Sequence, residues 1–217
     1  MNRIVTIDGP AGVGKSTLAR QVAEYLEIAY LDTGAMFRIV SYHLGQAGLD
    51  LPQAEMATKL DIFKFSLSGS GNDTTLACNG HVAGKEIRTE EVGMLASRYG
   101  TLPAIRAFLK TAQQDLGKQY SLVAEGRDMG TTVFPDAPSK FFLDATPEVR
   151  ALRRVRQLAA NGINEDVDHV ARQIRERDEQ DRNRALAPLK PAADAVIIDT
   201  SEYTIKQVFD AIVANIL

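Results

Sequence analysis

The 217-residue chain reads as an α/β protein with a five-stranded parallel sheet covered by helices on both faces. Two patterns and one motif point there. Near-continuous apolar runs recur at residues 4–8, 28–31, 121–125, 140–143 and 195–198, the signature of strands buried on both faces. Helical patterns separate most of these runs, and β and α elements alternate in this way when crossover helices cover a parallel sheet. The first run leads directly into Gly9-Pro10-Ala11-Gly12-Val13-Gly14-Lys15-Ser16 and then into a helical stretch at 17–23.

That junction matches G-x-x-x-x-G-K-[ST] in its proper strand–turn–helix setting. The glycines let the backbone curl so that successive N–H groups converge on phosphate oxygens. The helix that follows adds its positive N-terminal end. Gly9, Pro10, Ala11, Gly12, Val13, Gly14, Lys15, Ser16 and Thr17 are therefore expected to hold a nucleoside triphosphate. Lys15 is expected to reach the β- and γ-phosphates, and the Ser16 hydroxyl to sit on Mg²⁺.

Ligands of parallel sheets bind beyond the carboxyl ends of the strands. The residues after each strand are thus the ones to inspect: Asp8, Asp32-Thr33-Gly34, Glu125-Gly126-Arg127-Asp128 and Asp144. The alternation breaks at 61–88. Extended pieces at 62–67, 74–78 and 81–82, with turns at 68–73 and 79–80, read as a small antiparallel meander inserted between helices. Little apolar area of its own is expected there, so it should be loosely attached and close over a ligand.

Arginine concentrates at 147–184. Pro147 opens a helix, in which Val149, Leu152, Val155 and Leu158 form an apolar stripe, leaving Arg150, Arg153, Arg154 and Arg156 as a solvated basic face. In the next helix the stripe Val167, Val170, Ala171 and Ile174 continues onto Arg177, Asp178, Asp181 and Arg184. A packing face that turns charged without changing direction runs from core into cleft. Arg177, Asp181 and Arg184, at i, i+4 and i+7, project together, and converging guanidinium groups suit phosphate.

The bulk properties exclude several classes. With a net charge of −3, no global basic field argues for nucleic acid. The single cysteine, Cys78, rules out an internal disulfide and reads as a small strand or core residue. His43, His81 and His169 lack metal-ligand spacing. The first strand opens at Ile4 and no apolar run spans a membrane, so a cytoplasmic protein without leader or membrane anchor is expected. A P-loop switch is a rival reading. However, an Asn-Lys-x-Asp guanine motif and an apolar strand ending in Asp-Glu are both missing from the sequence.

Several blocks together resemble the bacterial-type cytidylate kinases. They are the stretch from Ile7 through Thr17, Leu31-Asp32-Thr33-Gly34-Ala35-Met36-Phe37-Arg38, and Glu86-Ile87-Arg88-Thr89. Gly126-Arg127-Asp128-Met129-Gly130-Thr131 follows, with Val133-Phe134-Pro135-Asp136-Ala137 and Phe142-Leu143-Asp144-Ala145. The last are Arg177-Asp178, Asp181-Arg182-Asn183-Arg184 and Ala187-Pro188-Leu189. The resemblance implies a P-loop kinase fold with an arginine-rich helical lid and a small β insert on the monophosphate side. One kinase domain is expected: core 1–32, 118–146 and 185–217, monophosphate region 33–117, lid 147–184.

The implied reaction is transfer of the γ-phosphoryl group of ATP to CMP or dCMP, with Mg²⁺, by a monomer. By position, Thr33, Arg38, Arg127 and Arg184 would hold the acceptor phosphate. Ser97, Arg106 and Asp128 would read cytosine, and Arg177 with Asp181 the ribose. Lys15, Arg127, Arg154, Arg156 and Arg184 would gather charge during transfer. An ionised Asp accepts only, which suits the N4 amino group of cytosine and opposes the oxygen of uracil. The chain departs from the family's pattern at Glu125, where Asp is usual, and at Phe37, where many members have Tyr. A kinase acting on UMP, AMP or a metabolite hydroxyl is the remaining enzyme reading, because the fold does not separate acceptors.

Overall fold

The computed structural model describes residues 2–160 and 162–217. The order of elements is β1 (Ile4–Asp8), α1 (Lys15–Tyr25), β2 (Ala29–Asp32), α2 (Thr33–Leu44), α3 (Gln53–Leu60), β3 (Phe65–Ser68), β4 (Thr75–Cys78) and β5 (His81–Val82). It continues with α4 (Glu90–Tyr99), α5 (Pro103–Gln119), β6 (Leu122–Gly126), β7 (Ser139–Asp144), α6 (Pro147–Ala159), α7 (Val167–Asn183), β8 (Val196–Asp199) and α8 (Ile205–Ala214). The main sheet is parallel, in the order β2-β6-β1-β7-β8.

Alternation along each strand builds a core on either face. Ala29, Leu31, Leu122 and Ala124 face one cluster, which α2, α3, α4 and α5 complete. Val5, Ile7, Tyr30, Val123, Phe141 and Leu143 face the other, covered by α1 and α8. The five strands stand within one residue of their expected positions. One expectation fails: β8 is not buried on both faces. It is the edge strand of the sheet, with Ile198 8% exposed and Ile197 62%, because Ile198 packs in the cluster that includes α8 while the face that carries Ile197 is left open.

Register decides where the chemistry collects. Asp8 pairs with Gly126 and with Phe142, and Asp32 pairs with Glu125. The carboxyl ends of β1, β2 and β6 therefore lie level to within a residue, β7 runs on to Asp144, and each continues into a polar turn. Asp32 also caps α2, its Oδ1 accepting from the Ala35 N–H at 2.8 Å. Thr89 caps α4 in the same manner.

The antiparallel insert β3-β4-β5 is present, but it is not the loose flap expected of it. Phe63, Leu67 and Cys78 are buried in the main cluster. Its tip grips the edge of the core: Gly71 N–H donates to Ile28 O at 2.8 Å, Tyr30 N–H to Thr74 Oγ1 at 3.1 Å, and Asn72 N–H to Glu24 Oε2 at 2.7 Å. The insert thus covers the open edge of β2, where unpaired backbone groups would otherwise face water.

Helix α6 corrects a second expectation. Its buried residues are Arg150 and Ala151, whereas Leu152 is 44% exposed. Helices α6 and α7 have a small apolar cluster of their own, made by Ala151, Val170, Ala171 and Ile174. That cluster is too small to take the whole apolar stripe, and Arg150 turns inward because paired acceptors await it. No described helix is long and apolar enough to cross a membrane.

Candidate active site

The phosphate loop spans β1 and α1, and two glycines are obligatory in it. At Gly9, φ is +148° and a Cβ would lie 2.1 Å from Leu143 O. Gly14, at φ +93°, is the left-handed residue that starts α1. Pro10 and Val13 are buried and so offer only backbone, while Ser16 and Thr17 are exposed at the mouth. Lys15 is buried, and its Nζ donates to Pro10 O at 2.6 Å. Burial, and then the charge of Arg127, hold the Lys15 ammonium well below its ordinary pKa. An anion placed beside Lys15 would favour its charged form.

Carboxylates stabilise the turn after β6. Asp8 accepts from the N–H groups of Met129 at 2.9 Å and Gly130 at 2.8 Å. Glu125 accepts from Tyr30 Oη and lies beside the Ser16 hydroxyl, and its backbone oxygen accepts from Thr33 Oγ1 at 2.6 Å. Burial, and then Asp32, raise the Glu125 pKa. The Ser16 hydroxyl beside the Glu125 carboxylate is a hard oxygen set that fits Mg²⁺, which takes one or two protein oxygens and completes its shell with phosphates and water. Among the described residues no three His, Cys, Asp or Glu side chains are placed to hold a metal ion by themselves.

Burial pushes the Asp8 carboxyl up to about 6. Between the unfolded value of 3.8 and that value, the folded state holds a proton that the unfolded chain has lost. Stability is therefore greatest in this respect below about pH 4 and falls through about pH 6, by ~3 kcal/mol. Urea midpoints for the wild type and Asp8→Asn should diverge over that window. Parallel pH profiles would exclude Asp8 as the source.

One cleft of about 330 Å³ gathers most of the expected residues. Ala11, Gly12, Lys15, Ser16, Thr33, Arg38, Ser97, Arg106, Arg127, Asp128, Arg154, Arg177, Asp181 and Arg184 all line it. Arg156 does not; it is exposed on α6. The wall also includes Asp32, Phe37, Arg88 and Glu125. Lys15 and seven arginines thus face four carboxylates, in a chain whose net charge is −3. Such a wall is organised for anions.

The polar groups fall into subsites. Arg38 donates to Ile87 O at 2.9 Å and Thr89 O at 3.0 Å, and α4 makes room for it at Gly93, where a Cβ would meet Arg38 Nη2 at 2.7 Å. Arg106 pairs with Asp128 and lies 5.8 Å from the Phe37 ring centroid. Arg127 Nε donates to Asp181 at 3.1 Å. Arg184 lies 3.6 Å from Asp128 and 3.6 Å from Asp181. Burial works to raise the Asp181 pKa, but Arg127, Arg177 and Arg184 outweigh it and hold the carboxyl below its ordinary range. Burial, and then Arg127, bring Arg177 down to about 10. Arg177 Nε and Arg184 Nη2 are buried without a hydrogen-bond acceptor, and such donors are costly unless a ligand takes them.

Sequence reasoning gave no role to Arg88, which pairs with Asp32 at 2.8 Å although it stood in a matching block. It also missed Tyr30 behind Glu125, and the Arg150–Asp178 pair. Asp178, expected on the cleft face of α7, faces Arg150 instead. No local pattern reveals such partners, because 28 residues separate Arg150 from Asp178.

The family model for cytidylate kinase matches residues 5–217. A cytidylate kinase of Oleidesulfovibrio alaskensis is 59% identical over 98% of this chain and 97% of its own length. One from Nitratidesulfovibrio vulgaris is 56% identical over 99% and 92%, and one from Maridesulfovibrio salexigens is 53% identical over 97% and 94%. A crystal structure of an uncharacterized protein from Eubacterium ventriosum, 13% identical, matches with a TM-score of 0.53 over 99% of this chain and 98% of that one, which speaks for the fold alone. With a matching family model and relatives of this identity across nearly the whole length, the chain belongs to the cytidylate kinase family.

Proposed function

We propose that the cleft transfers the γ-phosphoryl group of ATP to the phosphate of CMP or dCMP, giving ADP and CDP or dCDP. The observation that carries this reading is the cationic wall running from Lys15 and Ser16 to the Arg106–Asp128 pair. It offers one phosphate site at the loop and a second among Arg38, Arg127 and Arg184. The division into core, monophosphate region 33–117 and lid 147–184 belongs to the same reading.

The acceptor is already an anionic phosphate oxygen, so no general base is needed. The protein positions the two nucleotides and neutralises the charge that spreads as the bond breaks. The loop N–H groups and Lys15 hold the donor phosphates. Ser16 would hold Mg²⁺, which when bound neutralises phosphate oxygens as a Lewis acid. Arg38, Arg127, Arg184 and Thr33 fix the acceptor phosphate, while Arg177 and Asp181 take the ribose. Arg154, paired with Glu90 at 3.1 Å on the exposed rim, is close enough to the mouth to join the transferred group. Arg156 needs a movement of α6 to do so. All these residues come from one chain, so a monomer suffices. We place the reaction in the cytoplasm, where nucleotides are interconverted.

Asp128 decides the base. Its Oδ2 is held by Arg106, and its carboxylate accepts from N4 of cytosine, with Ser97 and Arg106 on the ring acceptors. Asp128→Asn keeps the shape and adds a donor that tolerates the O4 of uracil. An ADP-release assay over CMP, dCMP, UMP and AMP should show the CMP-over-UMP ratio of kcat/KM falling by 1–3 kcal/mol, about 5- to 150-fold. An unchanged ratio would assign base reading to another group. A wild type that prefers AMP or UMP would overturn the reading itself.

A further inference from the structure

Arg150 is a long, charged side chain, and yet it is 1% exposed. Its guanidinium joins three separate segments. Nε donates to Ala145 O at 2.9 Å, in the turn between β7 and α6. Nη1 donates to Ala11 O at 3.2 Å, within the phosphate loop. Nη1 also donates to Asp178 Oδ1 at 3.0 Å, and Nη2 to Asp178 Oδ2, so the pair is bidentate. The loop comes equally close: a Cβ at Gly12 would lie 3.2 Å from Arg150 Cβ.

Asp178 stands in α7 between two residues of the cleft wall, Arg177 and Asp181. In this region α7 is also tied by Arg127 to Asp181 and by Arg182 to Asp144 at 3.3 Å, while the apolar cluster it shares with α6 ends at Ile174. Of these ties, the Arg150–Asp178 pair is the one that also bonds the phosphate loop, through Ala11 O, and so it sets the last turns of α7 against that loop. A bidentate fork fixes both distance and rotation, as a single hydrogen bond or an apolar contact does not. Ion pairs of this burial contribute little net stability compared with apolar residues of similar size, which leaves geometry as the function of this one.

We propose that Arg150 and Asp178 are positioning residues that hold α7 in register with the phosphate loop, so that Arg177, Asp181 and Arg184 meet the acceptor at the distance the loop sets for the donor. This rests on the reading of the α7 cleft face as acceptor-binding. Asp178 touches neither nucleotide in that reading, and displacement of a bound group by about 1 Å can cost about 100-fold in rate.

The test uses the full-length protein, with melting temperature and separate KM and kcat for CMP and ATP. Arg150→Met with Asp178→Leu replaces the pair by apolar residues and should restore packing. The melting temperature should then stand near the wild-type value, while KM for CMP rises at least tenfold and kcat/KM for CMP falls at least as far. Kinetics within twofold of wild type in a protein of normal melting temperature would overturn the proposal, because the pair would then be a packing element only. Asp178→Glu keeps the charge and lengthens the tie by one methylene. It should raise KM for CMP more than KM for ATP, and it decides the matter if the double variant does not fold: unchanged KM for CMP in Asp178→Glu also overturns the proposal. A wild type inactive on CMP would instead strike the reading of the cleft, a separate failure.

Discussion

Lys15→Met should leave a folded protein whose turnover is lower by about 10²- to 10³-fold. The Lys15 side chain is buried, has one carbonyl acceptor in Pro10 O, and has its pKa lowered by burial and then by Arg127. Nothing in the core depends on it. A charge kept in a dry site contributes most when negative charge grows beside it, as on the transferring phosphoryl group. Methionine fills nearly the same volume and removes the charge. The loss of one hydrogen bond and the relief of one burial penalty oppose each other, so the unfolding midpoint should shift by no more than the equivalent of about 1 kcal/mol. Steady-state kinetics with CMP and a thermal melt together check this. Near-normal turnover would remove Lys15 from the chemistry, and a collapse of the melt would make it structural.

The second large effect falls on stability. Arg150→Ala strands the Asp178 carboxylate in a buried position, and it frees the acceptors Ala11 O and Ala145 O as well. Removing one partner of a buried pair costs about 3–5 kcal/mol, because the other charge is left uncompensated. For a chain of this size that corresponds to a melting temperature lower by roughly 6–20 °C. Calorimetry reads the change directly. A loss below about 1 kcal/mol would mean that water reaches Asp178 and that the pair is not closed in solution.

The two substitutions separate the parts that the loop region plays. Lys15 serves the ligand and is nearly neutral to the fold. Arg150 serves the fold and, through α7, the ligand. Both are cationic, buried and close to the same glycine-rich turn, so exposure alone does not tell them apart. Their acceptors do: Lys15 has a single carbonyl, whereas Arg150 has every group it needs within the protein.

The sheet, the phosphate loop and most of the cleft wall were legible in the order of residues, because the physics behind them is local. Periodicity sets strand and helix, a glycine-rich turn between them sets an anion cradle, and residues that follow parallel strands must gather at one edge. Thr33, Arg127 and Asp128 needed only that rule, and helical spacing gave Arg177 and Asp181 on α7, whereas Asp178 of the same stripe faces Arg150 and Arg184 follows the end of the helix. What tertiary structure alone decided are the pairings between distant segments. Arg150 looked like one of a row of solvated arginines until Asp178 of another helix, and two backbone carbonyls, were brought to it. The insert looked like a flap until its tip bound Glu24 and the edge of β2. Glu125 carried no role until Tyr30 on the neighbouring strand and Ser16 across the loop converged on its carboxylate. Burial of a charge depends on whether the fold supplies its partner, and that partner lies too far along the chain for any local pattern to announce it.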